Sequence, residues 1–184
     1  MSRDGADRPR GLLRCLRSAL LAVAGCSVRD VSGSRTRVLR RVEPDDIAVF
    51  FEQQADPAAA AMAAFPSRDR VAHDEHWARI LGDSSCVTRA IVLPDGQIVG
   101  NIGSFDVEGE RHVGYWIGRE HWGQGHATRA LTELVAEFPE RPLYARVAEH
   151  NTASMRVLAK CGFIVVGEAQ KTGDPVKEIV LRLS

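Results

Sequence analysis

One stretch decides the fold of this chain: residues 112–128, HVGYWIGREHWGQGHAT. After its histidine, residues 113–117 are apolar or aromatic, apart from one glycine, as expected of a buried strand. A loop with glycines at 123 and 125 comes next. The apolar residues that follow are three and four positions apart, on one face of a helix: Ala127, Ala130, Leu131, Leu134, Val135 and Phe138. The stretch therefore predicts a strand, a glycine-containing loop and a helix.

A strand, a glycine-containing loop and a helix in this order can form an anion-binding site. The amides of the first helical turn have no partner within the helix, and they lie at the positive end of its dipole. Without a Cβ at Gly123 and Gly125, a phosphate can approach that backbone closely. The stretch matches neither common nucleotide loop, because it lacks a Gly-Lys-Ser/Thr ending and a G-x-G-x-x-G spacing. On its own the pattern is a weak phosphate signal, since glycines also end strands for local reasons.

Antiparallel strands are predicted before this stretch. Residues 89–93 and 97–105 flank a Pro-Asp-Gly turn, which is a strong hairpin signal. Further upstream, residues 38–42 predict a first strand, and residues 43–46 open a helix with proline near its start and acids in its first turn. An alanine-rich second helix is expected to end before Pro66.

A third helix is predicted from a cap at Ser67 to about Leu81. Its inward residues are expected to be Val71, Trp77, Ile80 and Leu81. His73 and His76 stand three positions apart on this helix, so a metal pair is conceivable. No third ligand is evident, and the favoured interpretation is two solvated histidines.

Downstream, residues 143–147 predict another strand. A helical crossover of this length permits parallel pairing with the strand at 113–117. Asn151 is expected to cap a helix that ends at Cys161 and Gly162. Residues 163–166 and 177–183 predict the last two strands, joined by a turn at 173–175.

Composition favours one globular domain with an additional arm. The chain has 184 residues, 45% hydrophobic and 26% charged. A formal net charge of zero gives no general attraction to nucleic acid or to an anionic membrane. The four cysteines show no metal-ligand spacing, and Cys86 and Cys161 are predicted to be small core residues in a reducing compartment.

Two motifs, in this order, resemble the GNAT superfamily of N-acetyltransferases. The segment WGQGHAT at 122–128, preceded by GYWI at 114–117, is similar to the loop that binds the pyrophosphate of acetyl-CoA in that superfamily. The segment NTASMRVLAKCGF at 151–163 resembles its second signature. The pairing is most similar to the branch that acetylates the N-terminal amines of ribosomal proteins. The resemblance covers about residues 36 to 184, and it leaves residues 1–35 as a basic arm outside the domain.

The resemblance implies an α+β fold. Its central sheet would be mixed and mostly antiparallel, with a parallel strand pair splayed at the acetyl-CoA site and helices on both faces. It also implies acetyl-CoA as co-substrate, with no metal. The cofactor-binding residues it implies are Tyr115, Trp116, Ile117, Trp122, Gly123, Gln124, Gly125, His126, Ala127, Thr128, Asn151, Arg156 and Lys160. Tyr115 and Trp116 could equally be core aromatics, and Arg156 and Lys160 ordinary exposed residues.

The resemblance suggests three catalytic residues: His112, Ser154 and Asn151. His112 stands where relatives often place a glutamate base, and an unperturbed histidine is mostly neutral at pH 7. Many members use a tyrosine as the acid, and this chain has Leu158 at that position. The resemblance therefore implies that Ser154 stabilises the leaving thiolate and that Asn151 orders the gap between the strands. Glu108, Glu110 and Glu149 are rival bases. His112 could also be a surface residue, and Ser154 a residue that bonds backbone.

Residues 1–35 suggest an alternative interpretation, a secretory signal. Val23-Ala24-Gly25-Cys26 could pass for a lipoprotein cleavage box, after a basic segment and a short apolar one. Acetyl-CoA is a cytoplasmic metabolite, however, so an exported acetyltransferase would lack its donor. A basic arm or a misassigned start codon, and a cytoplasmic location without membrane attachment, are therefore favoured.

The sequence thus predicts an N-acetyltransferase that acts on a primary amine, either a small molecule or a protein N terminus. The alternative is a catalytically silent domain of the same fold that binds acyl-CoA, and a third interpretation, from another class, is a membrane-tethered binding lipoprotein. The acceptor cannot be identified from the sequence, and neither can the choice between monomer and homodimer.

Overall fold

A computed structural model of the chain describes residues 38–170 and 176–184. Of the first 37 residues it describes only the backbone of Leu21–Ala22. Cys26 and the turn predicted at 173–175 lie outside the described residues. Within the described part of the chain, no helix is long and apolar enough to cross a membrane.

In the part of the chain that the structure describes, eight strands form one mixed sheet. They are β1 (Leu21–Ala22), β2 (Leu39–Arg41), β3 (Val87–Val92), β4 (Ile98–Val107), β5 (Glu110–Ile117), β6 (Leu143–Ala148), β7 (Ile164–Ala169) and β8 (Glu178–Leu183). The main order is β2-β3-β4-β5-β6-β8-β7, and β1 pairs with β5 outside this path. The β3–β4 and β4–β5 pairs are antiparallel, which confirms the predicted hairpin.

Among the described residues, five α-helices cover the two faces of the sheet. They are α1 (Asp46–Ala55), α2 (Pro57–Ala63), α3 (Arg70–Gly82), α4 (His126–Glu137) and α5 (Thr152–Lys160). The larger core packs α4 and α5 against the sheet through buried residues such as Leu131, Leu134 and Leu158. On the opposite face, α1 and α3 bury Phe50 and Trp77, and α2 buries Ala59 beside Trp116. The implied fold class is confirmed.

One strand pair is parallel only at its start. Arg111 of β5 pairs with Leu143 of β6, and His112 pairs with Tyr144. Beyond these two positions no pairing joins the strands, although β5 runs on to Ile117 and β6 to Ala148. The sheet therefore opens into a gap at the C-terminal half of β5, which we call the splay.

The third helix differs from its prediction. Its cap is Asp69, whose Oδ1 accepts a hydrogen bond from the Ala72 amide at 2.8 Å, and not Ser67. Trp77 is buried, but Val71 and Leu81 are 68% and 49% exposed, so their inward assignment was wrong. The helix instead buries His73 and His76, which occupy the inward face that apolar residues were expected to fill.

Candidate active site

The splay is bounded on one side by the backbone of β5. Tyr115 and Trp116 are both core aromatics, because alternate side chains of a strand face opposite sides. The Trp116 indole donates a hydrogen bond to the Gln53 carbonyl at 3.1 Å on the α1 face, whereas Tyr115 lies in the α4 and α5 core. The backbone of β5 offers its hydrogen-bonding edge to the gap.

Strand β1 uses that same edge. Leu21 and Ala22 pair in parallel with Tyr115 and Trp116, respectively. Most of the predicted N-terminal arm lies outside the described residues, so its separation from the domain stays a prediction. This two-residue backbone contact nevertheless shows that the edge of β5 at the splay accepts an added extended segment.

The loop between β5 and α4 is shaped by two glycines and braced by two side chains. Gly123 has φ 77° and Gly125 has φ 82°, a left-handed conformation that glycine adopts without strain. The Trp122 indole donates to the Ile117 carbonyl at 2.8 Å, and the Gln124 amide donates to the Glu120 carbonyl at 3.2 Å. Both bonds anchor the loop to the residues that precede it.

The N terminus of α4 has no side-chain cap. Gly125 is its N-cap and makes no side-chain hydrogen bond. Gln124 Oε1 contacts His126 Nε2 at 3.2 Å, so the side chains of the loop bond to one another and leave the helix amides uncapped. The amides of His126, Ala127 and Thr128 accordingly belong to the first turn, which has no partners within the helix. This geometry suits an anion, as the sequence predicted.

Asn151 and Ser154 form the other wall of the splay. Asn151 is completely buried at the N terminus of α5, and its Oδ1 accepts a hydrogen bond from the Ser154 amide at 3.0 Å. Ser154 is also completely buried, and its hydroxyl has no hydrogen-bond partner among the described residues. The alternative in which Ser154 bonds the backbone through its hydroxyl is therefore wrong.

Tyr115 adds a hydroxyl that the sequence had not suggested. Burial raises the pKa of the Tyr115 phenol, and the nearby Ser154 hydroxyl opposes this shift. The Tyr115 hydroxyl also lacks a hydrogen-bond partner within residues 38–170 and 176–184. The two buried hydroxyls therefore lie beside each other, and each can also form a hydrogen bond with a polar atom from outside the protein.

His112 lies where the splay begins. It is 3% exposed, so the surface alternative is wrong, and its ring stacks between those of Phe105 and Tyr144 at 6.2 and 5.6 Å. Burial lowers the pKa of His112, as does the positive charge of Arg146, and Glu110 opposes both. Glu110 Oε2 lies 3.6 Å from His112 Nε2, which has no hydrogen-bond partner among described residues. His112 is therefore held neutral, with a ring nitrogen able to accept a proton.

The remaining predicted residues lie around this centre. Arg156 and Lys160 are exposed on α5, and Leu158 is buried in the core. Of the rival bases, Glu110 is the one beside His112, whereas Glu108 and Glu149 are exposed in turns. The splay therefore brings His112, Asn151, Ser154 and the α4 N terminus to one gap.

The histidine pair on α3 is not solvated. His73 and His76 are 1% and 4% exposed, and the Trp77 indole donates to His73 Nε2 at 3.1 Å. Burial, assisted by Arg68 and Arg79, lowers the pKa of His76 to about 3. In the described residues, no group of three potential ligands could hold a metal ion. Both histidines are therefore neutral residues of the protein interior.

A pocket beside α3 was missed by the sequence analysis. It has about 430 Å³ of empty space, including its open mouth, and lies between α3 and strands β3 and β4. Its lining includes Gln54, His76, Asn101 and Phe105. These residues come from separate elements, and no local motif joins them.

Comparison with known proteins identifies the family. The model of a family described as an acetyltransferase (GNAT) domain matches residues 37–164. The chain belongs to the GNAT acetyltransferase family. It is therefore an N-acetyltransferase. An N-acetyltransferase named p20 from Bacillus licheniformis is 26% identical over 137 residues, which is 68% of this chain and 77% of that protein.

Solved GNAT structures share the fold. Spermidine N-acetyltransferase from Vibrio cholerae, in complex with CoA and spermine, superposes with a TM-score of 0.69 at 14% identity, over 79% of this chain and 93% of that one. An acetyltransferase from Agrobacterium tumefaciens superposes with a TM-score of 0.67 at 20% identity, over 87% of this chain and 99% of that one. An acetyltransferase of the GNAT family from Bacillus anthracis superposes with a TM-score of 0.68 at 16% identity, over 79% of this chain and 92% of that one. At these identities the likeness establishes the fold alone.

Proposed function

We propose that this GNAT enzyme transfers an acetyl group from acetyl-CoA directly to a primary amine at the splay. One observation carries the proposal: the gap beside β5 lies next to the uncapped N terminus of α4 and ends at a neutral, buried His112. A donor held by its diphosphate at α4 can extend its amide-bearing arm along β5 toward that histidine. Donor and base then meet at one point.

Backbone groups would hold the donor. Amides of residues 124–128 bind the diphosphate, with Gly123 and Gly125 allowing its close approach and Trp122 bracing the loop. The edge of β5 at Tyr115, Trp116 and Ile117 pairs with the amides of the pantetheine arm, so β1 must leave that edge when the donor binds. Arg156 and Lys160 are exposed cations suited to the 3′-phosphate. The Thr128 hydroxyl is a further phosphate ligand.

The chemistry requires one proton acceptor and one group that stabilises a thiolate. The amine nitrogen attacks the thioester carbonyl carbon, a C–N bond forms, and the C–S bond breaks with its electron pair left on sulfur. His112 takes the proton that the amine loses, directly or through a water molecule. The Ser154 hydroxyl donates a hydrogen bond to the departing thiolate, and Asn151 fixes Ser154 in place.

The acceptor is a primary amine on a small molecule or at a peptide N terminus, the latter being the chemistry of the ribosomal-protein branch. An α-amine has a pKa near 8, so roughly a tenth is deprotonated at pH 7, whereas for lysine it is below about a thousandth. Because His112 is a weak base, an amine that is already partly deprotonated fits the site better.

A thioester-consumption assay over a panel of amines and short peptides tests this function. We expect release of coenzyme A to depend on the acceptor, with equimolar N-acetyl product identified by mass. If the protein binds coenzyme A but turns over no acceptor, and His112→Ala changes nothing, the domain is a silent acyl-CoA binder and the proposal is wrong.

A further inference from the structure

The pocket between α3 and the sheet contains polar atoms without partners. Gln54 Oε1 and Asn101 Nδ2 are both buried, and neither has a hydrogen-bond partner among the described residues. Gln54 and Asn101 are 5% and 1% exposed, and both line the pocket. One is an acceptor and the other a donor. Buried groups of this kind are nearly always satisfied, so either ordered water or a ligand with one donor and one acceptor is expected there.

The pocket carries no charge. Its lining contains no aspartate, glutamate, lysine or arginine, and its titratable members are His76 and Cys86. Burial lowers the pKa of His76 to about 3 and raises that of the Cys86 thiol, so both are neutral at pH 7. The nearby charges that act on His76 are the cations Arg68 and Arg79, with His73 contributing in the same direction. A second ammonium group would enter this pocket without a counterion and lose its hydration.

The pocket lies on the same face of the sheet as His112. Asn101 pairs with Trp116, Gly103 with Gly114, and Phe105 with His112, so these residues share the face covered by α1 and α3. The paired glycines leave a strip of backbone free of side chains between the pocket and β5. Phe105 lines the pocket and also stacks on His112. An acceptor in the pocket can therefore present its amine at the base.

We infer that the acceptor is an amine with a single ammonium group and an uncharged, amide-bearing body, which Gln54 and Asn101 bind, and that polyamines are disfavoured. The inference rests on the proposed function and deepens it. It assigns Gln54 and Asn101 as specificity residues. It also separates this enzyme from its spermidine-acetylating structural relative, whose substrate carries several cations.

The first test compares two acceptor classes at saturating acetyl-CoA. Amino-acid amides and dipeptide amides have one ammonium and an uncharged body, whereas spermidine and a diamine of similar length have more. We expect kcat/KM to be at least about tenfold higher for the amides, since a buried, unpaired cation is strongly disfavoured. A preference for spermidine would overturn the inference while leaving the proposed function intact.

Variants of Gln54 provide the second test. Gln54→Met keeps the length of the side chain and removes its unpaired oxygen, so we expect an unchanged or higher Tm. We also expect an unchanged Kd for coenzyme A and a KM for the amide raised about tenfold. Gln54→Glu adds a carboxylate and should therefore reduce the ratio of kcat/KM for the amides to kcat/KM for spermidine. Gln97→Glu, at an exposed position of the β3–β4 turn, is the matched control and should change neither substrate preference nor Tm.

The outcomes of this series differ from those of the proposed function. A lower Tm for Gln54→Met, with KM unchanged, would mean that Gln54 is structural and would overturn the assignment. Asn101→Leu provides an independent repeat with the same expectation. If no amine of either class is acetylated while coenzyme A still binds, the proposed function itself fails, and the inference fails with it.

Discussion

The two halves of the candidate site are built in different ways. The donor side is made of backbone: uncapped amides at the start of α4 and the edge of β5 at the splay, all within residues 112–128. The acceptor side is made of side chains that converge from α1, α3 and β4, such as Gln54, His76 and Asn101. The donor half therefore depends on chain conformation, and the acceptor half on residue identity. Acceptor specificity can change in such a protein without any change in donor binding.

His112 lies where the two halves meet, and its replacement should have the largest effect. His112→Gln keeps a polar side chain but cannot accept a proton, so kcat/KM should fall about a hundredfold. Because burial and Arg146 lower the pKa of His112, it is protonated only below its ordinary 6.5. The decline of kcat/KM with falling pH should therefore steepen at some point below pH 6.5, and this steepening should be absent in the variant.

A matched change, His150→Gln, serves as the control for His112. His150 is exposed, and its ring bonds the Ala61 carbonyl of α2 at 3.1 Å. The rate and the pH profile of His150→Gln should match those of the parent protein. Rates within twofold of the parent for His112→Gln, with the acid steepening retained, would assign the base to another group.

The backbone character of the donor half can be tested at Gly125. A valine there has open space around its Cβ but must adopt φ 82°, at a cost of about 1–3 kcal/mol. If the loop relaxes to relieve this strain, the diphosphate cradle is lost, and Kd for coenzyme A should rise about tenfold to a hundredfold.

Gly96→Val is the matched control, because Gly96 has φ 88° and equally open surroundings in the β3–β4 turn. Both variants should lose similar stability in a denaturation curve, and only Gly125→Val should lose affinity for coenzyme A. Equal affinities for the two variants would mean that the loop does not hold the donor.

Ser154 should have a smaller effect, confined to the chemical step. Its hydroxyl has no partner in the described structure, so Ser154→Ala should leave Tm unchanged. A hydrogen bond to a charged thiolate is worth about 1.5–3 kcal/mol, so kcat should fall about tenfold or more. Tyr115→Phe removes the neighbouring hydroxyl and should alter kcat less. The reverse ranking would assign the thiolate interaction to Tyr115.

The smallest expected effect concerns β1. Its backbone pairs with Tyr115 and Trp116, on the edge that the donor is proposed to use. A Leu21→Pro/Ala22→Pro double variant removes the one amide that can donate to β5, because successive N–H groups of a strand point to opposite sides. Kd for coenzyme A should fall about fivefold, since one hydrogen bond contributes only about 1 kcal/mol. Gly5→Pro/Ala6→Pro is the control and should leave Kd unchanged. An unchanged Kd in both variants would show that β1 and the donor do not compete.

The difference between the backbone-built donor half and the side-chain-built acceptor half also explains how much the sequence could predict. The strand, loop and helix of residues 112–128 and the cap at Asn151 were predicted correctly, because glycine positions, apolar spacing and a capping side chain act over a few residues. The inward face of α3 was predicted wrongly. His73 and Trp77 are buried together by a mutual hydrogen bond, and the apolar periodicity of a helix cannot reveal a buried polar pair.

The acceptor pocket could not be predicted for a related reason. Gln54 and Asn101 have ordinary sequence contexts, and they become neighbours only when α1 packs on β4. The importance of each lies in a missing hydrogen bond, which is a property of the packed structure. Asp69 likewise replaced Ser67 as a cap although both residue types can fill that role, and the choice depends on where the chain enters α3.

Calorimetric titration of the intact protein with coenzyme A tests the central claim most directly. Amides at the α4 N terminus and the edge of β5 at the splay should bind it with one-to-one stoichiometry and a Kd in the micromolar range or tighter. Gly125→Val should weaken that binding, and Gly96→Val should not. If the folded protein takes up no coenzyme A at millimolar ligand, the backbone cradle does not exist and the account is wrong.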